Sequence, residues 1–235
     1  MKKAILNYED LNEMLDGFLR EPEEFWDNFY EDRTKEIPFF KNKGPDENLV
    51  EYFTNGLAPE RVLEIGCGPG RNAVYMAKKG CKVDALDLSS NAIEWAKERA
   101  EQEEVKIEFH CISLFDFKFK PRSYDFIYDC GLFHHLAPHR RLNYLEMLEK
   151  ALKKDGYFGI VCFNTEGALD TPDWEVYKKG SLHGGIGYTE ERLKEVFIND
   201  FNIVDFRTMK KITQPGELFG EDFLWACLMQ LKNNG

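Results

Sequence analysis

The chain has 235 residues, 43% of them hydrophobic, and a formal net charge of -11. That length suits an α/β domain with a modest extension, and the acidic balance excludes the broad basic face on which nucleic-acid binding rests. No run approaches the ~18 consecutive apolar residues of a membrane span, the start lacks a signal peptide's apolar stretch, and the six cysteines are dispersed without a Cys-x-x-Cys pair; together these predict a reduced, cytoplasmic protein.

The first 45 residues are acidic and aromatic. Leu11, Met14, Leu15, Phe18 and Leu19 recur at helical spacing, and a second helical stretch over 23–30 follows Pro22. With Phe25-Trp26-Asp27-Asn28-Phe29-Tyr30 and Ile37-Pro38-Phe39-Phe40, this segment (1–45) reads as a helical cap on a main unit spanning 46–235. A helix over 49–54 leads into the most informative stretch of the chain. Val62, Leu63 and Ile65 form a β-prone run that stops at Gly66, Gly68 and Gly70, and a helix follows over 72–79. A strand, a glycine turn and a helix bring backbone close to a ligand, closer than a Cβ permits.

Dinucleotide enzymes also use such a turn, so its details decide. The spacing is Gly-x-Gly-x-Gly, with Arg71 where a dinucleotide fingerprint has its last glycine. Glu64, at the strand end, would repel a pyrophosphate but suits an amino group and a positive centre. Asp87 closes a second apolar run, about 20 residues after the turn, where an acid accepts hydrogen bonds from ribose hydroxyls. An adenosine ligand without a pyrophosphate fits all three, and S-adenosylmethionine is such a ligand.

Further on, Ser89-Ser90-Asn91 supplies N-cap residues for a helix to about 100. A third strand covers 105–112 and a fourth covers 124–128, ended by Asp129. Pro138 favours a helix start, with Leu142, Leu145, Met147, Leu148 and Leu152 on its apolar face. A fifth strand spans 157–163. The glycine-rich segment 164–188 reads as a long functional loop, 189–197 as a helix, and 202–209 and 223–231 as two strands across Pro215-Gly216. His134 and His135 follow the fourth strand and His183 lies in the long loop; all three are candidate proton acceptors, since imidazole titrates near neutral pH. Cys130, His134, His135 and His139 are close in sequence but lie across a strand-to-helix turn, so no metal site is expected. Arg140 and Arg141 read as a solvated helix start.

Through Val62-Leu-Glu-Ile-Gly-Cys-Gly-Pro-Gly70, Ala85-Leu-Asp-Leu-Ser89 and Tyr124-Asp-Phe-Ile-Tyr-Asp129, the chain resembles class I S-adenosylmethionine-dependent methyltransferases. Phe133-His-His-Leu136 and Ser181-Leu-His-Gly-Gly185 make it similar to a bacterial-type small-molecule subgroup. The resemblance implies an α/β, Rossmann-like, doubly wound seven-stranded sheet, mostly parallel with an antiparallel last strand, under an N-terminal helical lid. It implies that Gly66, Cys67, Gly68 and Gly70 cradle the methionyl portion of S-adenosylmethionine, that Glu64 orients the loop and the amino group, and that Asp87 holds the ribose. Leu88, Ser113 and Leu114 would border adenine, Asp129 would position the methionyl amine, and Tyr30 would close from the lid. Phe39, Phe133 and Trp174 are candidate linings of a small-molecule acceptor pocket. S-adenosylhomocysteine would be the product, and neither nucleic acid nor membrane is an expected partner. A nicotinamide-dependent oxidoreductase and a non-catalytic S-adenosylmethionine sensor are the alternatives; oligomeric state is not legible.

Overall fold

The computed structural model describes residues 4–214 and 216–232. Strands β1 (Arg61–Ile65), β2 (Lys82–Asp87), β3 (Glu108–Cys111), β4 (Tyr124–Cys130), β5 (Leu152–Phe163), β6 (Phe201–Thr208) and β7 (Leu224–Leu231) form one sheet in the order β3-β2-β1-β4-β5-β7-β6. The first five pair in parallel, whereas β7 runs antiparallel to both β5 and β6. This is the expected Rossmann-like α/β architecture. β1 has β2 on one side and β4 on the other, so the strand order reverses there and a crevice opens beyond the carboxyl ends of β1 and β4.

The apolar runs are explained by burial on both faces. Leu63, Ile65, Ile127 and Ile160 pack with Phe133, Tyr144, Leu148 and Phe197 on one side of the sheet. Val62, Phe126, Tyr128 and Val161 pack with Leu49, Tyr52, Ala73 and Met76 on the other. The covering helices are α4 (Glu47–Thr54), α5 (Arg71–Lys78), α6 (Ser90–Gln102), α7 (Arg140–Ala151) and α9 (Glu190–Phe197). Ser89 caps α6, its side chain accepting from the Ala92 N–H, and Thr189 caps α9 in the same way.

Several elements differ from the sequence reading. α1 (Tyr8–Asp16) stops at Gly17, leaving Phe18 and Leu19 beyond its end. α3 (Pro38–Lys41) is a single turn after Pro38, too short to show a periodicity. The glycine-rich stretch after β5 contains α8 (Asp173–Lys179), closed by Gly180 in the left-handed region. Leu152, expected as the last apolar residue of α7, instead opens β5: it pairs with Tyr124, Tyr157 pairs with Phe126, and left-handed Asp155 (φ 62°) lies in the irregularity between them. The anticipated third strand over 105–112 is reduced to four residues. Pro215 of the anticipated last loop lies outside the described residues.

Two attachments place the ends of the chain near the crevice. α2 (Pro22–Glu31) docks on α6, where Asp27 accepts from the Ser89 and Ser90 hydroxyls and the Asn91 N–H, each at 3.0 Å. The β6–β7 connection returns to the segment before α4: the Glu47 N–H donates to the Phe219 carbonyl (2.9 Å) and the Phe219 N–H to the Pro45 carbonyl (2.8 Å). The two backbones are so close that a Cβ on Gly44 would sit 2.3 Å from the Glu217 carbonyl oxygen. Among the described residues no helix is long and apolar enough to cross a membrane.

Candidate functional site

The turn after β1 takes its shape from residues that can hold positive φ. Gly66 (φ 66°) and Gly68 (φ 49°) are in the left-handed region, where a side chain is strained. Space is a second reason. A Cβ on Gly66 would lie 2.8 Å from Leu132 Cβ, and one on Gly68 would lie 2.8 Å from the Tyr30 hydroxyl. The turn is thus enclosed by the start of the β4–α7 connection on one side and by α2 on the other.

Asp87 fixes the turn from β2. Its carboxylate accepts from the Gly68 N–H at 2.8 Å and from the Ser89 N–H at 2.9 Å. Burial pushes its pKa up to about 6 against the pull of those N–H groups. Each oxygen retains acceptor capacity after one such bond. Leu88 is next in the chain and partly exposed.

Glu64 is 1% exposed, and its Oε2 has no hydrogen-bond partner among the described residues. Burial, then the neighbouring Asp46 carboxylate, raise its pKa to about 8, opposed by Arg71. A buried acceptor without a donor is the mark of a position completed by something else. The unfolded carboxyl titrates near its ordinary value, so between about pH 4.5 and 8 the folded state binds more protons. Stability therefore falls as pH rises through that window, by up to about 1.4 kcal/mol per pH unit. Glu64→Gln should flatten this slope in denaturant titrations across the window and leave the variant more stable than the parent at pH 8; equal slopes would refute it.

Beneath Glu64 lies a buried polar network that sequence reasoning missed. Asp46, fully buried, pairs with the Arg71 guanidinium at 3.0 Å and accepts from the Tyr128 hydroxyl at 2.7 Å and the Asn72 amide at 3.0 Å. Arg71 also donates to the Gly44 carbonyl at 2.6 Å and lies 4.4 Å from the Phe219 ring centroid. The signal for it was weak: Asp46 precedes a helix start, and Arg71 was noticed only as a departure from a fingerprint. The network ties the segment before α4, the first turn of α5 and β4 into one support.

Asp129 is fully buried and committed to the protein. It accepts from the Leu132 N–H at 2.8 Å and the Tyr144 hydroxyl at 2.7 Å, and burial pushes its pKa up to about 7. It shapes the single 3₁₀ turn Phe133–His135.

The three histidines have different settings. His134 Nδ1 accepts from the Phe163 N–H at 3.2 Å, its carbonyl accepts from the Ile186 N–H at 2.8 Å, and its ring lies on Phe163 with centroids 3.8 Å apart. It therefore fastens β5 to the loop after it, with its ring proton on Nε2. His183 is exposed with φ 49°, its N–H donating to the Ser181 hydroxyl. His135 lies under α2, its ring 4.7 Å from that of Trp26 and its Nδ1 buried without a partner among the described residues.

Other expected site residues are redistributed. Phe133 is fully buried between Tyr144, Tyr188 and Phe197, so it packs as a core residue. Trp174, on α8, is 78% exposed. Phe39 belongs to the aromatic cluster of the N-terminal helices, stacked on Phe29 at 6.3 Å. Leu114 is buried in the core, and the Ser113 hydroxyl accepts from the Phe115 N–H. Tyr30 is buried over Gly68, within the field of Asp87 and Cys67, which with burial holds its hydroxyl protonated. Among the described residues no three His, Cys, Asp or Glu side chains are grouped to hold a metal ion.

Residues 62–156 match the model of a methyltransferase domain. An uncharacterized methyltransferase of Schizosaccharomyces pombe is 28% identical over 135 residues, covering 57% of this chain and 91% of that protein. A solved structure from work on the conversion of a disulfide bond into a thioacetal group during echinomycin biosynthesis superposes with a TM-score of 0.68 at 22% identity, covering 92% of this chain and 94% of that one. The 1,6-didemethyltoxoflavin-N1-methyltransferase of Burkholderia thailandensis, solved with 1,6-didemethyltoxoflavin and S-adenosylhomocysteine, has a TM-score of 0.61 at 21% identity and covers 98% of this chain and 93% of that one.

Proposed function

We propose that this chain, whose residues 62–156 match a methyltransferase domain and which is similar to S-adenosylmethionine-dependent methyltransferases, transfers a methyl group from S-adenosylmethionine to a small molecule held beneath its N-terminal helices. The observation that carries this reading is the position of Tyr30 on α2, its hydroxyl over Gly68 at the mouth of the crevice. A site roofed by the chain's own helices admits a small acceptor more readily than a folded macromolecule. The net charge of -11 weighs further against nucleic acid.

The residues present fit the cofactor. When bound, it supplies a methyl group on a positively charged sulfur; what remains for the protein is alignment and the exclusion of water. Gly66, Cys67, Gly68 and Gly70 form the cradle that a Cβ would fill. Glu64 offers its unpaired Oε2 towards the amino end of the ligand, by way of the loop, and Asp87 offers its remaining lone pairs to the ribose. Leu88 and the backbone of Ser113 and Leu114 border the adenine side. Asp129, whose oxygens are already engaged, acts by holding the turn after β4. Residues 8–41 act as the lid, and the Phe-His-His-Leu turn marks the small-molecule subgroup. The free cysteines fit a cytoplasmic setting.

Methyl-labelled S-adenosylmethionine incubated with the protein and a fractionated metabolite extract should place label in a small-molecule fraction; label confined to protein or nucleic acid would overturn the acceptor class. S-adenosylhomocysteine at about 100 times its Kd should stabilise the fold by roughly 2.7 kcal/mol, read as a rise in thermal midpoint.

A further inference from the structure

One face of α2 reaches both the glycine turn and the histidine turn. Trp26 and Tyr30 are four residues apart, their ring centroids separated by 6.3 Å. Tyr30 covers Gly68, while Trp26 meets His135 edge-on at 4.7 Å and 69°. Leu132 abuts Gly66, and its carbonyl accepts the His135 N–H at 2.9 Å, so the histidine turn follows directly on the residue packed against the glycine turn. Phe163 lies 6.1 Å from the His135 ring. His135 is thus three residues on from Leu132, among rings, with a buried Nδ1 that no described residue satisfies.

The geometry points to a planar aromatic acceptor lying against Trp26, methylated on a hydroxyl oxygen or a non-basic ring nitrogen whose hydrogen passes to His135 Nδ1. This rests on the methyl-transfer reading above. A flat ring suits the company of Trp26 and Phe163, since aromatic rings favour offset or edge contacts. A lone pair on the acceptor atom forms the bond to the methyl carbon, the carbon–sulfur bond breaks with its electron pair on sulfur, and the acceptor's proton goes to the imidazole. Net charge in the site is conserved, because the positive charge that leaves sulfur reappears on His135.

The setting of His135 also limits the acceptor. Burial, then the Arg20 cation, lower its pKa to about 3, so it is neutral at working pH. A base that weak does not take a proton from an ammonium. It does take one from an alkylated phenol or lactam nitrogen, which becomes very acidic as the new bond forms. Of the three histidines it alone combines the lid contact with an unpaired buried ring nitrogen; His134 spends its Nδ1 on Phe163 and His183 faces solvent.

The test uses the full chain and His135→Phe, which keeps a ring against Trp26, together with His135→Gln. S-adenosylhomocysteine binding by calorimetry should be unchanged within about twofold in both; if the parent does not bind it, the methyl-transfer reading itself falls. The complex with S-adenosylhomocysteine is then titrated with 8-hydroxyquinoline and, separately, with hexylamine. The parent should bind the hydroxylated ring and ignore the amine, and His135→Phe should bind the ring at least 10-fold more weakly. With methyl-labelled cofactor, label should enter hydroxylated or lactam-type heteroaromatics, at a rate reduced about 10²-fold or more in His135→Gln. Label entering only amines or thiols, no transfer to any ring despite cofactor binding, or equal ring binding and rates in the variants would overturn the proposal.

Discussion

Asp46→Ala is expected to be the most damaging single substitution away from the ligand, lowering unfolding free energy by about 3–5 kcal/mol. At this chain length that is a fall on the order of 10 °C in thermal midpoint. The reason is what remains behind. Arg71 is 6% exposed and would keep its charge in a dry interior, while the Asn72 amide would lose its acceptor and the Tyr128 hydroxyl would be left with only the long 3.5 Å bond to Asn48 Oδ1. Asp46→Asn should cost less, since an amide oxygen still accepts from Tyr128. Urea unfolding decides it: an alanine variant within 1 kcal/mol of the parent would show that the network is not a support.

Asp87→Ala should have the largest effect on ligand affinity, weakening S-adenosylhomocysteine binding roughly 10- to 100-fold. Hydrogen bonds to a charged group are worth about 1.5–3 kcal/mol, and each 1.4 kcal/mol is about tenfold. Two losses would combine: the acceptor that we propose for the ribose, and the anchor that Asp87 gives the Gly68 N–H. Asp87→Asn retains one oxygen and should fall between parent and alanine. Calorimetry that returned the parental Kd for a folded Asp87→Ala protein would show that the ribose lies elsewhere.

The parts legible in the sequence were those set by local chemistry. Three glycines after an apolar run, an acid ending each of β1, β2 and β4, and β-branched stretches between turn residues all report on backbone conformation or two-sided burial, and the sheet follows from them. What stayed hidden depends on who meets whom in space. Phe133 and Trp174 are both aromatic residues near the crevice in sequence, but one is sealed in the core by Tyr144 and Phe197 and the other stands in solvent. The three histidines were indistinguishable as letters; a single N–H from Phe163 separates His134 from His135. The Asp46 network joins residues 25 to 82 positions apart, beyond the reach of any periodicity.

The hairpin connection that returns beside Gly44 carries one more implication. Because it braces the very segment from which Asp46 reaches Arg71 and Asn72 at the head of α5, the β6–β7 connection buttresses the glycine turn from behind. Removing that connection is therefore expected to loosen the Asp46–Arg71 support and weaken S-adenosylhomocysteine binding, although the connection is remote in sequence from the glycine turn.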